Sequence, residues 1–103
     1  MITAEVKYDE NGKYESFECS GHANYSEPGS DIICASVSML VINTANCIEA
    51  FSDCEFEAKA GDRITYRFKS IPDIKAEVLM DALIFGLNDI QKKHKKNLKL
   101  IVR

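Results

Sequence analysis

The sequence predicts a two-layer α+β domain in the element order ββαββαβ, and three observations carry that reading. Residues 2–8 and 13–20 alternate apolar with polar side chains around the turn Asp9-Glu10-Asn11-Gly12. Residues 54–60 and 63–69 repeat the alternation around Gly61-Asp62. Between and after these hairpins run two long segments whose apolar residues recur at helical spacing. Alternating strands have one dry and one wetter face, so both helices are expected on the same side of a largely antiparallel sheet.

Ile2, Ala4, Val6 and Tyr8 fall on one side of the first strand, and Thr3, Glu5 and Lys7 on the other. Asn11-Gly12 tolerates the backbone angles of a tight turn. The returning strand directs Phe17 and Cys19 toward the core. From Asp31 to about Phe51 the residues Ile33, Val37, Leu40, Ala45, Ile48 and Phe51 mark a buried helical face, widened by Val41 and Ile42. Ser30 or Asp31 is its natural N-cap. The second hairpin alternates Cys54, Phe56, Ala58 and Ala60, then Ile64, Tyr66 and Phe68. Ser70-Ile71-Pro72-Asp73 opens the second helix, with Ile74, Val78, Ala82, Phe85 and Ile90 as its expected buried face, joined by Leu79 and Leu83. Gly86 inside it points to close packing against a neighbour, since glycine there costs about 1 kcal/mol relative to alanine. Residues 98–102 supply a last strand.

At 103 residues the chain makes one domain, residues 1–103, able to bury a core without staples. A net charge of -3 argues against a dedicated nucleic-acid binder, so no direct nucleic-acid binding is expected. The segment 32–50 is interrupted by Ser36, Ser38, Asn43, Thr44, Asn46 and Glu49, which reads as too polar for a membrane span. The first residues lack a basic-then-apolar leader, and Cys19, Cys34, Cys47 and Cys54 follow no tight repeated spacing. Reduced thiols in the cytoplasm are the expectation, with no membrane partner.

The informative stretch is Ser20 to Ser38, SGHANYSEPGSDIICASVS. His22 follows a strand, a polar loop of small residues spans 23–30, and Cys34 falls in what would be the first turn of the helix. A thiol reacts as its thiolate, which is favoured at a helix N-terminus or beside an imidazolium. Cys34 then suits a nucleophile, and His22 its base and later the acid toward a leaving amine. The first-turn amides suit an oxyanion. Asp31, Cys34 and Ser38 stand at i, i+3 and i+7 on one helix face. Asp31 caps the helix or orients His22; Ser38 steadies the thiol or simply packs. The commoner reading of a lone helical cysteine is a small buried hydrophobe, and only its joint placement with His22 points to chemistry. The loop 23–30 is either an ordinary connection or a functional one.

Gly21-His22-Ala23, then Gly29-Ser30-Asp31-Ile32-Ile33-Cys34-Ala35, then Val37-Ser38, resemble the signature of the Prp family of ribosomal-processing cysteine proteases. The resemblance implies a homodimeric cysteine endopeptidase that removes an N-terminal extension from a large-subunit ribosomal protein precursor of the L27 type. It implies a catalytic dyad of His22 and Cys34, with Gly21, Gly29, Asp31 and Ser38 supporting the site or binding substrate. It also implies that the loop after His22 orders around a peptide. The alternative is a non-enzymatic ribosome-associated binding protein with Cys34 merely buried.

Cys19, His22 and Cys34 are potential metal ligands, but without a second paired motif they make a weak zinc site. No metal and no cofactor are expected. Lys92 to Lys99 either complements the dipole of the second helix or steers the chain toward an anionic partner.

Overall fold

The computed structural model of the chain describes residues 1–21 and 30–103, the side chains of residues 30 and 31 excepted. Strand β1 (Ile2–Tyr8) and β2 (Tyr14–Ser20) form the first hairpin, and helix α1 (Ser30–Phe51) follows. Strands β3 (Phe56–Lys59) and β4 (Arg63–Phe68) form the second, before helix α2 (Ile74–Lys93) and strand β5 (Leu98–Val102). The expected order ββαββαβ is the observed one.

The five strands make one mixed sheet in the order β3-β4-β2-β1-β5. All neighbours are antiparallel except β5, which runs parallel to β1 with Ile2 opposite Leu98 and Val6 opposite Val102. A parallel neighbour requires a crossover, and α2 supplies it. Ile2, Ala4, Val6, Phe17, Cys19, Ile64, Tyr66 and Leu98 are buried beneath the helices. The opposite face is polar and laced with ion pairs, among them Arg63–Glu18 at 2.6 Å and Lys69–Glu57 at 2.9 Å. A shallow depression of about 470 Å³ on that face includes Glu5, Lys7, Glu57 and Arg67 in its walls.

In α1 the residues Val37, Val41, Ala45 and Ile48 are buried, as the periodicity predicts. Phe51 and Ile42 are exposed, because the buried stripe runs through Cys34, Val37, Val41, Thr44, Ala45 and Ile48 instead. The Tyr66 hydroxyl donates to the carbonyl of Val41, tying the middle of α1 to β4. The segment Ile32–Phe51 is, by length and composition alone, long and apolar enough to cross a membrane. That corrects the expectation drawn from its polar residues. Ser36 and Thr44 soften their polarity by donating to the carbonyls of Ile32 and Leu40 one turn back. The buried stripe of this helix belongs to the domain core.

The buried face of α2 matches the expected one at Leu83, with Leu79 and Ile90 partly buried against the core, and differs elsewhere. Ala76, Met80, Leu83 and Leu87 face inward, while Ile74, Val78 and Phe85 are 76%, 59% and 80% exposed. Both stripes have helical spacing, and the inner one suits a close approach of the helices. A side chain on Gly86 would come within 3.0 Å of Leu40 Cδ2, so this glycine marks the close packing its position predicts. Asp73 caps α2 by accepting from the Ala76 N–H at 2.9 Å.

Candidate active site

The site candidates divide by where the described chain reaches. His22 and Gly29 lie outside the described residues, as does the loop 23–30 but for the backbone of Ser30. Asp31 is seen only as backbone, within α1. Gly21, Cys34 and Ser38 are fully placed.

Gly21 ends the β2 arm. Its φ is +81°, in the left-handed region that glycine enters without a side-chain penalty. A Cβ there would lie 2.4 Å from the carbonyl oxygen of Met1, closer than any real contact. The glycine is therefore required twice, by conformation and by the passing N-terminal backbone. Thr3 pairs with Ser20 next door, and the Ile2 N–H donates to the Asn97 carbonyl at 2.8 Å. The strand end that leads into His22 is thus framed by residues from both ends of the chain.

Cys34 sits deeper than expected. With α1 beginning at Ser30, it is the fifth helical residue and opens the second turn rather than lying in the first. Macrodipole effects fade beyond the first turn, so helix position alone activates this thiol less than a first-turn site would. Its residue surface is 3% exposed, and it belongs to the contiguous core cluster with Cys19, Val37 and Ile2. All four cysteines are thiols, with none paired in a disulfide.

One turn further along α1, the Ser38 hydroxyl oxygen is buried and has no hydrogen-bond partner among the described residues. Ser36 and Thr44 on the same helix donate back to carbonyls, so the isolation of Ser38 is not a general habit of α1. Burying a hydroxyl unpaired costs about 1–3 kcal/mol, which a folding-only role gives no reason to keep.

Cys19, which the sequence offers with His22 and Cys34 only as a weak metal-ligand candidate, lies in the same core cluster as Cys34. It is fully buried, and burial foremost, with the charge of Cys34 second, pushes its thiol up to about 11. The fold therefore favours the neutral Cys19 thiol. The alternation of β2 already turns Cys19 inward; its nearness to Cys34 needs the packing of α1 over the sheet. Among the described residues no three His, Cys, Asp or Glu side chains are grouped to hold a metal ion.

A buried helical thiol and a glycine-framed strand end are compatible with a peptidase but do not by themselves name one. The family model described as "Cysteine protease Prp" matches residues 1–99. The chain belongs to the Prp cysteine protease family. Two Prp relatives are named "Ribosomal processing cysteine protease Prp". The one from Bacillus subtilis is 29% identical, covering 97% of this chain and 96% of the relative. The one from Staphylococcus aureus is 24% identical, with 97% of both chains covered.

Among solved structures, SMU.848 from Streptococcus mutans superposes with a TM-score of 0.88 at 28% identity, covering 99% of this chain and 93% of that one. The S. aureus Prp structure with a substrate peptide gives 0.87 at 21% identity over the whole of both chains. At that identity the likeness is one of fold. The Prp membership makes this chain a cysteine protease of the ribosomal-processing family, and the non-enzymatic alternative is set aside.

Proposed function

We propose that this chain removes the N-terminal extension of a large-subunit ribosomal protein precursor of the L27 type, with Cys34 as nucleophile and His22 as base. The S. aureus Prp was solved with a covalently linked product peptide, and that observation carries the reading. A covalent peptide adduct is what a thiol protease forms. Cys34 is the thiol of this chain that falls within the family motif.

The chemistry follows from the residues. His22 takes the Cys34 proton, and the thiolate adds to the scissile carbonyl carbon. The tetrahedral oxyanion is stabilised by backbone N–H groups, which the start of a helix leaves without intrahelical partners. His22 returns the proton to the departing amine as the C–N bond breaks, leaving a thioester on Cys34. Water, deprotonated by His22, then hydrolyses the thioester and frees the thiol. Ser38, Gly21, Gly29 and Asp31 support this centre.

The chain acts in the cytoplasm as a homodimer. Supporting the dimer are two exposed apolar stripes, Ile32, Met39 and Ile42 on α1 and Ile74, Val78 and Phe85 on α2. Phe51, Ile74, Val78 and Leu79 line an apolar depression where the two helices meet. Such a surface on a small domain marks a protein contact. Sedimentation of the wild type as a dimer, and of Val78→Asp with Phe85→Asp as a monomer, is the expected result; a monomeric wild type sinks the dimer.

The cleavage test uses purified precursor and gel resolution of the released extension. Wild type cleaves, and Cys34→Ala and His22→Ala do not. Iodoacetamide labels Cys34 at neutral pH, more slowly in His22→Ala. Full processing by Cys34→Ala overturns the assignment.

A further inference from the structure

The net charge of the whole chain hides a strong local asymmetry. Five of the thirteen Lys and Arg residues fall within residues 92–99, with no Asp or Glu among them. That leaves eight cations against sixteen carboxylates in the rest of the chain. Lys92, Lys93, Lys95, Lys96 and Lys99 are all exposed. Lys93 pairs with Asp89 at 3.2 Å, and among the described residues the other four make no ion pair.

This is not a loose tail. The His94 N–H donates to the Ile90 carbonyl at 2.8 Å, and the Asn97 and Leu98 N–H groups donate to the His94 carbonyl at 2.9 and 3.2 Å. The Leu100 N–H donates to Gln91 Oε1 at 2.6 Å, locking the far side of the turn to α2. The lysines are held on a rigid bend, so little backbone order is lost on binding.

The bend continues onto the polar face of the sheet. Lys99 pairs with Thr3, Thr3 with Ser20, and Ser20 with Arg63, so these four side chains form one row across β5, β1, β2 and β4. At about 4.8 Å per strand, the row spans about 14 Å. It ends in Lys99 and in Arg63, which also reaches Glu18 at 2.6 Å, with two hydroxyls between them, and Ser20 immediately precedes Gly21. Such a row suits successive phosphates, which take charge from Lys and Arg and hydrogen bonds from Ser and Thr.

We propose that the bend 92–99, extended by the row Lys99–Thr3–Ser20–Arg63, is a docking surface for the phosphate backbone of RNA. The choice of RNA over an acidic protein rests on the ribosomal reading above. Proteins that bind RNA are rich in Lys and Arg, so the acidic remainder of this chain suits such a substrate, whereas the bend repels it. The bend instead fits the polyanion that accompanies the substrate. Binding is sequence-independent, salt-sensitive and separate from the cleavage chemistry.

The test measures fluorescence anisotropy of a labelled oligouridylate of about 20 nucleotides at about 50 and about 200 mM salt, with poly-glutamate as competitor. Wild type binds at the lower salt, and the logarithm of affinity falls with that of salt by about 0.7 per phosphate contacted. The triple variant K92E/K95E/K96E loses at least about tenfold in affinity and flattens that slope, yet cleaves a short unstructured substrate peptide as wild type does. Lys59→Glu, on the other sheet edge, leaves RNA binding unchanged. No RNA binding by folded wild type at the lower salt overturns the proposal, as does undiminished binding by the triple variant. Poly-glutamate binding tighter than RNA also overturns it, assigning the bend to an acidic protein. Failure of peptide cleavage alone strikes the protease assignment and leaves this one standing.

Discussion

Gly21 passes so close to Met1 that a Cβ on the glycine would lie 2.4 Å from the Met1 carbonyl oxygen. Gly12 offers an internal control, because its φ of +76° is similar but nothing lies within 4 Å of its missing side chain. Gly12→Ala therefore measures the left-handed backbone penalty alone, about 1–2 kcal/mol. Gly21→Ala adds displacement of the β1 backbone and is expected to lower the melting temperature further, with loss of precursor cleavage. Equal melting temperatures for the two variants sink the close-approach argument.

Cys19 should give the protein an alkaline stability limb. Its folded pKa, about 11, lies above the ordinary 9.0, so the fold favours the neutral thiol. The contribution is complete below about 9 and is lost as pH rises through about 11. Urea denaturation across that window should show a slope for wild type that is reduced in Cys19→Ala. Cys34→Ala should lower the Cys19 pKa, since the second cause of its shift is the Cys34 charge.

Ser38 is predicted to exchange stability for activity. Ser38→Ala removes a buried hydroxyl that lacks a partner among the described residues, and a gain of about 1 kcal/mol is expected in equilibrium unfolding. If the hydroxyl serves the thiol or the substrate, kcat falls while KM changes less. A variant that is neither more stable nor slower contradicts both halves.

Asp73 holds the start of α2 to the end of α1. Its carboxylate accepts from the Asp53 N–H at 2.8 Å, the Ala76 N–H at 2.9 Å and the Ser52 hydroxyl at 2.9 Å. These donors, Asp53 first, hold its pKa below the ordinary 3.8. The stabilisation is therefore present above about 3.8 and lost as pH falls below it. Asp73→Asn should melt lower at neutral pH and show a weaker acid-induced decline, with the two proteins converging in strong acid.

The hairpins, helices and their order were legible because each strand alternates and each turn carries Gly, Asn or Asp. The buried face of α2 was legible only in part: Leu83 is buried as expected, whereas Ile74, Val78 and Phe85 are exposed. The stripe of Ile74, Val78 and Phe85 is as apolar as that of Ala76, Met80, Leu83 and Leu87 and carries the bulky Phe85, so hydrophobicity alone does not choose between them. What selects the inner stripe is fit: Ala76 and Gly86 let α2 approach, while the bulkier stripe remains outside.

At the site, the motif pointed to Cys34 and Gly21, and the reason for Gly21 is a close approach of backbone. Its partner, the Met1 carbonyl, is invisible to a local reading because it lies twenty residues away in sequence. The nearness of Cys19 to Cys34 depends likewise on how α1 lies over β2.

The pairing of β5 with β1 carries a consequence for when this protease is born. Residue 1 abuts Gly21, Ile2 is bonded to Asn97, and the first strand is flanked by the last. A chain still being synthesised lacks Asn97 and β5, so the frame around the strand end before His22 is unfinished until that segment emerges. The sheet is therefore completed only once the first and the last strand are both present.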